Sequence, residues 1–204
     1  MKKLLKRIMA LSLCACMMMG AASTASAANI SVSNPTAENG IELMSITPGY
    51  SHRVTINGSY GTHYLNMYAT SSSNVQSGTD VTTWDTMASD GTQFWEFNLY
   101  NSRENTYTIK PQNHSDLVLN VYRDSSYNCN VYALSGNNPD DYVIKVTNTS
   151  GKYTLLLPNR GWYMTETTEL PVYYNNVAHG YQVRWRTSRD GLDNAATQLW
   201  NIYT

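Results

Sequence analysis

The stretch Gln93-Phe94-Trp95-Glu96-Phe97 recurs with the same spacing as Gln198-Leu199-Trp200-Asn201-Ile202. Each copy places a Gln two residues before a Trp and an apolar residue two residues after it. Such alternation fits a strand with one buried face. A middle copy stands between them as Asp140-Asp141-Tyr142-Val143-Ile144, with Tyr142 in place of the Trp. Two further pieces recur in the same order. A Thr between apolar residues opens each unit, at Val54-Thr55-Ile56, Tyr107-Thr108-Ile109 and Tyr153-Thr154-Leu155. Then come Leu65-Asn66-Met67, Leu119-Asn120-Val121 and, as a poorer copy, Tyr163-Met164-Thr165. Three units about 50 residues long follow from these repeats.

Between the second and third pieces each unit has a Val-centred strand, near Val81, Val131 and Val183. Asn57-Gly58, Asp90-Gly91, Gly136-Asn137-Asn138-Pro139 and Asp190-Gly191 supply the turns. No stretch of a dozen residues after the N-terminal segment keeps a helical period of 3.6. The sequence predicts an all-β fold of three units with about four strands each, closing into a barrel with a hairpin cap. Closure removes exposed sheet edges.

Composition agrees. The chain has 204 residues, enough for one all-β domain or two small ones. Apolar residues make up 42% and charged residues 14%, so a core is affordable and wholesale disorder is excluded. The net charge of −1 and the absence of a basic stripe argue against nucleic acid as the main ligand.

The N-terminus reads as a secretory signal. Residues 1–7 carry four basic side chains, residues 8–22 are apolar, and Ala25-Ser26-Ala27 ends the segment. Cleavage after Ala27 is expected, and the apolar run is short for a membrane span. A second reading makes Leu13-Cys14-Ala15-Cys16 a lipoprotein site with Cys16 acylated. Loss of residues 1–27 leaves ten basic and fifteen acidic side chains, a net charge of −5, and one cysteine, Cys129. The mature chain then has no intrachain disulfide and relies on its apolar core. Residues 28–49 read as an arm or linker, and residues 50–204 as the domain, with units at about 50–104, 105–150 and 151–204.

Three units ending in Gln-x-Trp-x-(Ile/Phe) resemble the ricin B-type lectin repeat, a β-trefoil, over roughly residues 50–204. In that light Trp95, Tyr142 and Trp200 are expected to plug equivalent inner positions, each aromatic burying on the order of 150–250 Å². Gln93 and Gln198 are expected to satisfy backbone groups left by the turn. The resemblance implies sugar binding in a shallow pocket on each unit. An Asp after the second strand, an aromatic ring and an Asn before the Gln-x-Trp would hold the sugar. Planar polar groups suit hydroxyls, which both donate and accept.

Carried over by position, the first unit offers Asn66 for the Asp, Trp84 for the aromatic and Thr92 for the Asn. The second offers Asn120, Leu134 and Pro139, with Tyr132 as an alternative stacking ring. The third offers Met164, Arg186 and Thr197, with Trp185 beside them, and reads as structural. Asn for Asp keeps an acceptor and loses its charge, and charge-assisted bonds are about twice as strong. The candidate sugar-binding residues are Asn66, Thr82, Trp84, Thr92 and Gln93 in the first unit, and Asn120 and Tyr132 in the second.

Other chemistries find less support. His52, His63, His114 and His179 are scattered, without metal-ligand spacing. Cys129 falls in a strand and reads as an inert buried thiol. Glu166 and Glu169 lie in a polar run, Thr165-Glu166-Thr167-Thr168-Glu169, and read as solvated charge in a loop rather than a glycosidase pair. Asp80, Asp85 and Asp90 are spaced too widely for a calcium loop. Arg184, Arg186 and Arg189 read as an exposed patch offset by Asp190 and Asp193. No cofactor or metal is implied. The function read here is a secreted, non-enzymatic binder of glycans or polysaccharide. One rival is a protein-binding module, an inhibitor or toxin accessory, using the Tyr-rich insertion of residues 165–182 with its sugar sites decayed. A trefoil-borne hydrolase is the other rival.

Overall fold

The computed structural model describes residues 46–58, 61–124, 126–187 and 196–203. The signal segment, most of the arm, and Arg189, Asp190 and Asp193 lie outside the described residues. Among the described residues, twelve strands form three sets of four. The first set is β1 (Ser51–Gly58), β2 (Gly61–Met67), β3 (Val81–Trp84) and β4 (Trp95–Asn101). The second is β5 (Thr106–Pro111), β6 (Leu117–Val121), β7 (Cys129–Ala133) and β8 (Ile144–Thr149). The third is β9 (Lys152–Leu157), β10 (Trp162–Tyr174), β11 (Val177–Thr187) and β12 (Trp200–Tyr203).

The strands follow from alternation. In β9, Tyr153, Leu155 and Leu157 are buried while the residues between them are half-buried. Antiparallel pairing links β1 to β4, β4 to β5, β5 to β8, β8 to β9, β9 to β12 and β12 back to β1. These six strands therefore close on themselves, and each has a partner on both sides. The other six make three hairpins, β2–β3, β6–β7 and β10–β11. The hairpins touch pairwise, through Thr82↔Gln182, Asp80↔Asn130 and Asn128↔Arg184. A pseudo-threefold arrangement results, with one contact of each kind between successive units.

Trp95 and Trp200 are fully buried in the main core. Their indole N–H groups donate to Leu65 O and Met164 O, each at 3.0 Å. A buried indole needs such an acceptor. Tyr142 departs from the expectation. It packs in a small separate cluster with Val118 and Val143. The second-unit residue that opens the fourth strand, as Trp95 and Trp200 do, is Ile144, which is fully buried. Tyr142 lies two residues earlier, at the end of the turn Pro139–Asp141. An indole still enters the middle unit from its neighbour: Trp185 of β11 is buried and donates to Asn120 O at 3.1 Å.

The indole bonds also set the third unit's register. Trp95 bonds the residue before Asn66, and Trp200 bonds the residue before Thr165. Thr165, not Met164, is thus the counterpart of Asn66. Likewise Asn66 pairs with Thr82 and Asn120 with Asn130, so Trp84 corresponds to Tyr132, not Leu134.

The insertion of residues 165–182 is part of a long hairpin, not a loop. Tyr174 pairs with Val177 across Asn175-Asn176, both at positive φ (50° and 63°). Two consecutive left-handed residues are what a type I′ hairpin turn requires, and Asn tolerates them.

Candidate glycan site

Trp84 ends β3, opposite Tyr64 of β2, and Asn66 lies two residues further along β2. The loop from β3 to β4 then turns back over this hairpin. Its shape is fixed by its own side chains. Gln93 accepts from Ala88 N–H at 2.7 Å and donates to Thr86 O at 2.9 Å. Asp90 Oδ1 accepts from Thr92 N–H at 3.0 Å and from Thr92 Oγ1 at 2.6 Å. Met67 N–H donates to Thr92 O at 2.9 Å, which ties the loop to β2. Gly91 between these residues has φ +89°, which a side chain would strain.

Between loop and hairpin lies an open dimple of about 450 Å³, within the range of small-ligand sites. Asn66, Trp84, Asp90 and Thr92 line it, with Tyr68 and Tyr174 on its wall. Tyr68 and Tyr174 are 47% and 58% exposed, so their rings face solvent at a ligand's disposal. The Trp84 ring lies 6.2 Å from Tyr68, tilted 47°. The arrangement offers an aromatic surface for the C–H face of a sugar, a carboxylate and the amide oxygen of Asn66, whose Nδ2 already donates to Met67 O at 3.0 Å.

Asn66, Trp84 and Thr92 thus come together. Gln93 is buried behind the loop, where it braces backbone groups. Thr82 is buried and lines a neighbouring pocket instead of the dimple. Asn120 is committed to other groups: it donates to Val121 O and Asn130 Oδ1 and accepts from Asn137 Nδ2, all within 3.0 Å. Tyr132 is 40% exposed on β7, away from the first-unit dimple. Sequence reasoning missed Asp90 and Tyr174. Asp90 restores, from a different position, the carboxylate that Asn66 lacks. Its signal was Asp-Gly beside Thr92, read as a turn and as one of three Asp residues too widely spaced for a calcium loop.

Glu166 corrects another expectation. It lies within β10, 1% exposed, with Oε1 2.7 Å from His63 Nδ1 and accepting from Thr83 Oγ1 at 2.7 Å. The solvated-loop reading fails because β10 is covered on both faces from Met164 to Thr167. Glu169 is exposed and pairs with Arg186, which with a backbone bond holds its carboxyl below the usual range, although partial burial opposes this. The two carboxyls therefore occupy different environments. Cys129 is buried, and burial pushes its thiol far above the ordinary range. No helix among the described residues is long and apolar enough to cross a membrane.

No protein-family model matches the sequence, and no curated protein matches it. Solved structures do match. The fold is a β-trefoil of the kind seen in ricin B-like lectins. A designed threefold-symmetric protein, ThreeFoil, aligns with TM-score 0.55 at 18% identity, over 76% of this chain and 98% of that one. The Macrolepiota procera ricin B-like lectin, solved with lactose, aligns with TM-score 0.53 at 14% identity, over 78% and 98%. A mosquitocidal holotoxin aligns with TM-score 0.57 at 15% identity, over 81% of this chain and 18% of the toxin. At these identities the likeness establishes the fold.

Proposed function

We propose that this chain is a secreted, non-enzymatic carbohydrate-binding module whose main site is the first-unit dimple. The observation that carries this reading is the convergence of Asn66, Trp84, Asp90 and Thr92 on one open concavity with exposed Tyr rings. An aromatic face with a few planar acceptors matches the two-sided chemistry of a pyranose. The lactose complex of the Macrolepiota procera lectin supports the same reading by fold, and the signal-like residues 1–27 suit a protein that meets glycans outside the cell. The environments of Glu166 and Glu169 favour binding over hydrolysis, since one is locked to His63 and the other to Arg186. With so few fixed groups, affinity per site is expected between roughly millimolar and tens of micromolar. Calorimetric titration against neutral glycans tests it: saturable binding lost in Trp84→Ala supports the reading, and no binding to any glycan refutes it.

One observation favours a second reading. Tyr173, Tyr174 and Val177 stand 56–58% exposed at the tip of the β10–β11 hairpin. Such a tip suits a protein contact. A purified partner whose binding is lost in Tyr173→Ala and unaffected by Trp84→Ala would identify it.

A further inference from the structure

A second pocket, of about 150 Å³, lies where the three hairpins meet. Its wall carries hydrogen-bonding capacity that the protein itself does not use. Thr82 is 3% exposed, yet its Oγ1 has no partner, and Asn128 Oδ1 is buried and unpartnered as well. Gln182 Oε1 accepts from Arg184 Nη2 at 3.1 Å, which leaves its amide nitrogen to donate elsewhere. Asp80 lines the pocket too, its carboxyl held above the usual range by burial and by the charge of Asp124. Buried polar groups are ordinarily satisfied, so orphaned ones around a cavity point to something that fills it.

This pocket and the dimple are neighbours. Tyr68 lines both, and the consecutive residues Tyr173 and Tyr174 line one each. We infer that the pocket is a second subsite for the same ligand, which is a neutral oligosaccharide of at least two residues reaching from Trp84 past Tyr68 to Thr82. The inference rests on the sugar reading above. A sugar residue supplies hydroxyls that donate to Asp80 and accept from Gln182, and its C–H groups meet Val172. The volume, about five waters' share of liquid, suits the edge of one sugar ring. Carboxylates at Asp80 and Asp90, one in each pocket, disfavour uronic and sulfated sugars.

The test is calorimetry of the mature chain against the mono- to tetrasaccharide of each neutral glycan that an array identifies. The wild type should gain about tenfold or more in affinity from one residue to two or three, a step of about 1.4 kcal/mol. Thr82→Val, which replaces a hydroxyl that makes no bond, and Tyr173→Ala, at an exposed site, should each erase that gain and leave monosaccharide affinity unchanged. Monosaccharide binding with no length gain, or a gain that survives both substitutions, overturns the second subsite and leaves the dimple intact. Silence of the whole neutral array overturns the sugar reading and this inference with it.

Discussion

The imidazole of His179 lies face to face with the indole of Trp84, ring centres 5.0 Å apart and planes 14° from parallel. Trp84 belongs to the first unit and His179 to the third unit's long hairpin. Asp85, next to Trp84, braces the contact twice: its N–H donates to His179 O at 2.6 Å, and its Oδ1 lies 3.2 Å from His179 Nδ1. The third unit therefore holds in place the aromatic ring that lines the first-unit dimple. A ring fixed before the ligand arrives loses less freedom on binding.

His179→Ala should accordingly weaken glycan binding by about three- to tenfold, the worth of one side chain left to be ordered by the ligand. The thermal midpoint should shift little. Parallel titration and melting of the variant check this.

Gly180 lets the hairpin come this close. A Cβ at residue 180 would stand 1.9 Å from Thr83 O, a backbone atom that cannot step aside. Gly180→Ala should force β11 off β3, with a cost of about 1–3 kcal/mol, as for other overpacked sites. Denaturant unfolding measures the cost, and loss of glycan binding should accompany it.

Glu166 should carry stability, not binding. Glu166→Ala strands a His63 side chain that is itself buried, and a buried polar group left without its partner costs about 1–3 kcal/mol. Glu166→Gln keeps an acceptor for Thr83 and should cost less. Urea unfolding of the two variants checks the order, and glycan affinity of the folded fraction should stay at the wild-type value.

Asp80 gives a pH signature. Its carboxyl is raised above its ordinary 3.8, first by partial desolvation and then by Asp124. A carboxyl raised in the folded state favours folding at low pH and loses that contribution as pH rises through its folded value. Asp80→Asn should therefore raise the melting temperature at pH 7, with the gain vanishing below about pH 4. Melting curves across that range read the sign directly.

The ring of strands was legible because the core strands alternate and Trp95 and Trp200 mark repeated positions. Tyr142 misled because aromatic character was matched where the fold places an aliphatic residue, Ile144, at the strand start. Glu166 was hidden by its polar neighbours. Thr165 and Thr167 are buried beside it, so the period of two that identifies a half-exposed strand is lost when both faces are covered. Trp84 and Asn66 could be picked out locally, since both belong to one hairpin. Asp90 could not, because its role depends on a loop folding back over β2 through Thr92 and Met67. His179 is separated from Trp84 by most of two units, and only the length of β10–β11, set by the Asn175-Asn176 turn, brings them together.

A crystal structure of the protein with a neutral oligosaccharide tests the central claim most directly. A sugar ring should lie against Trp84, with hydroxyls bonded to Asp90 and Asn66. A sugar bound on another unit, with the Trp84 dimple unoccupied, would contradict the account.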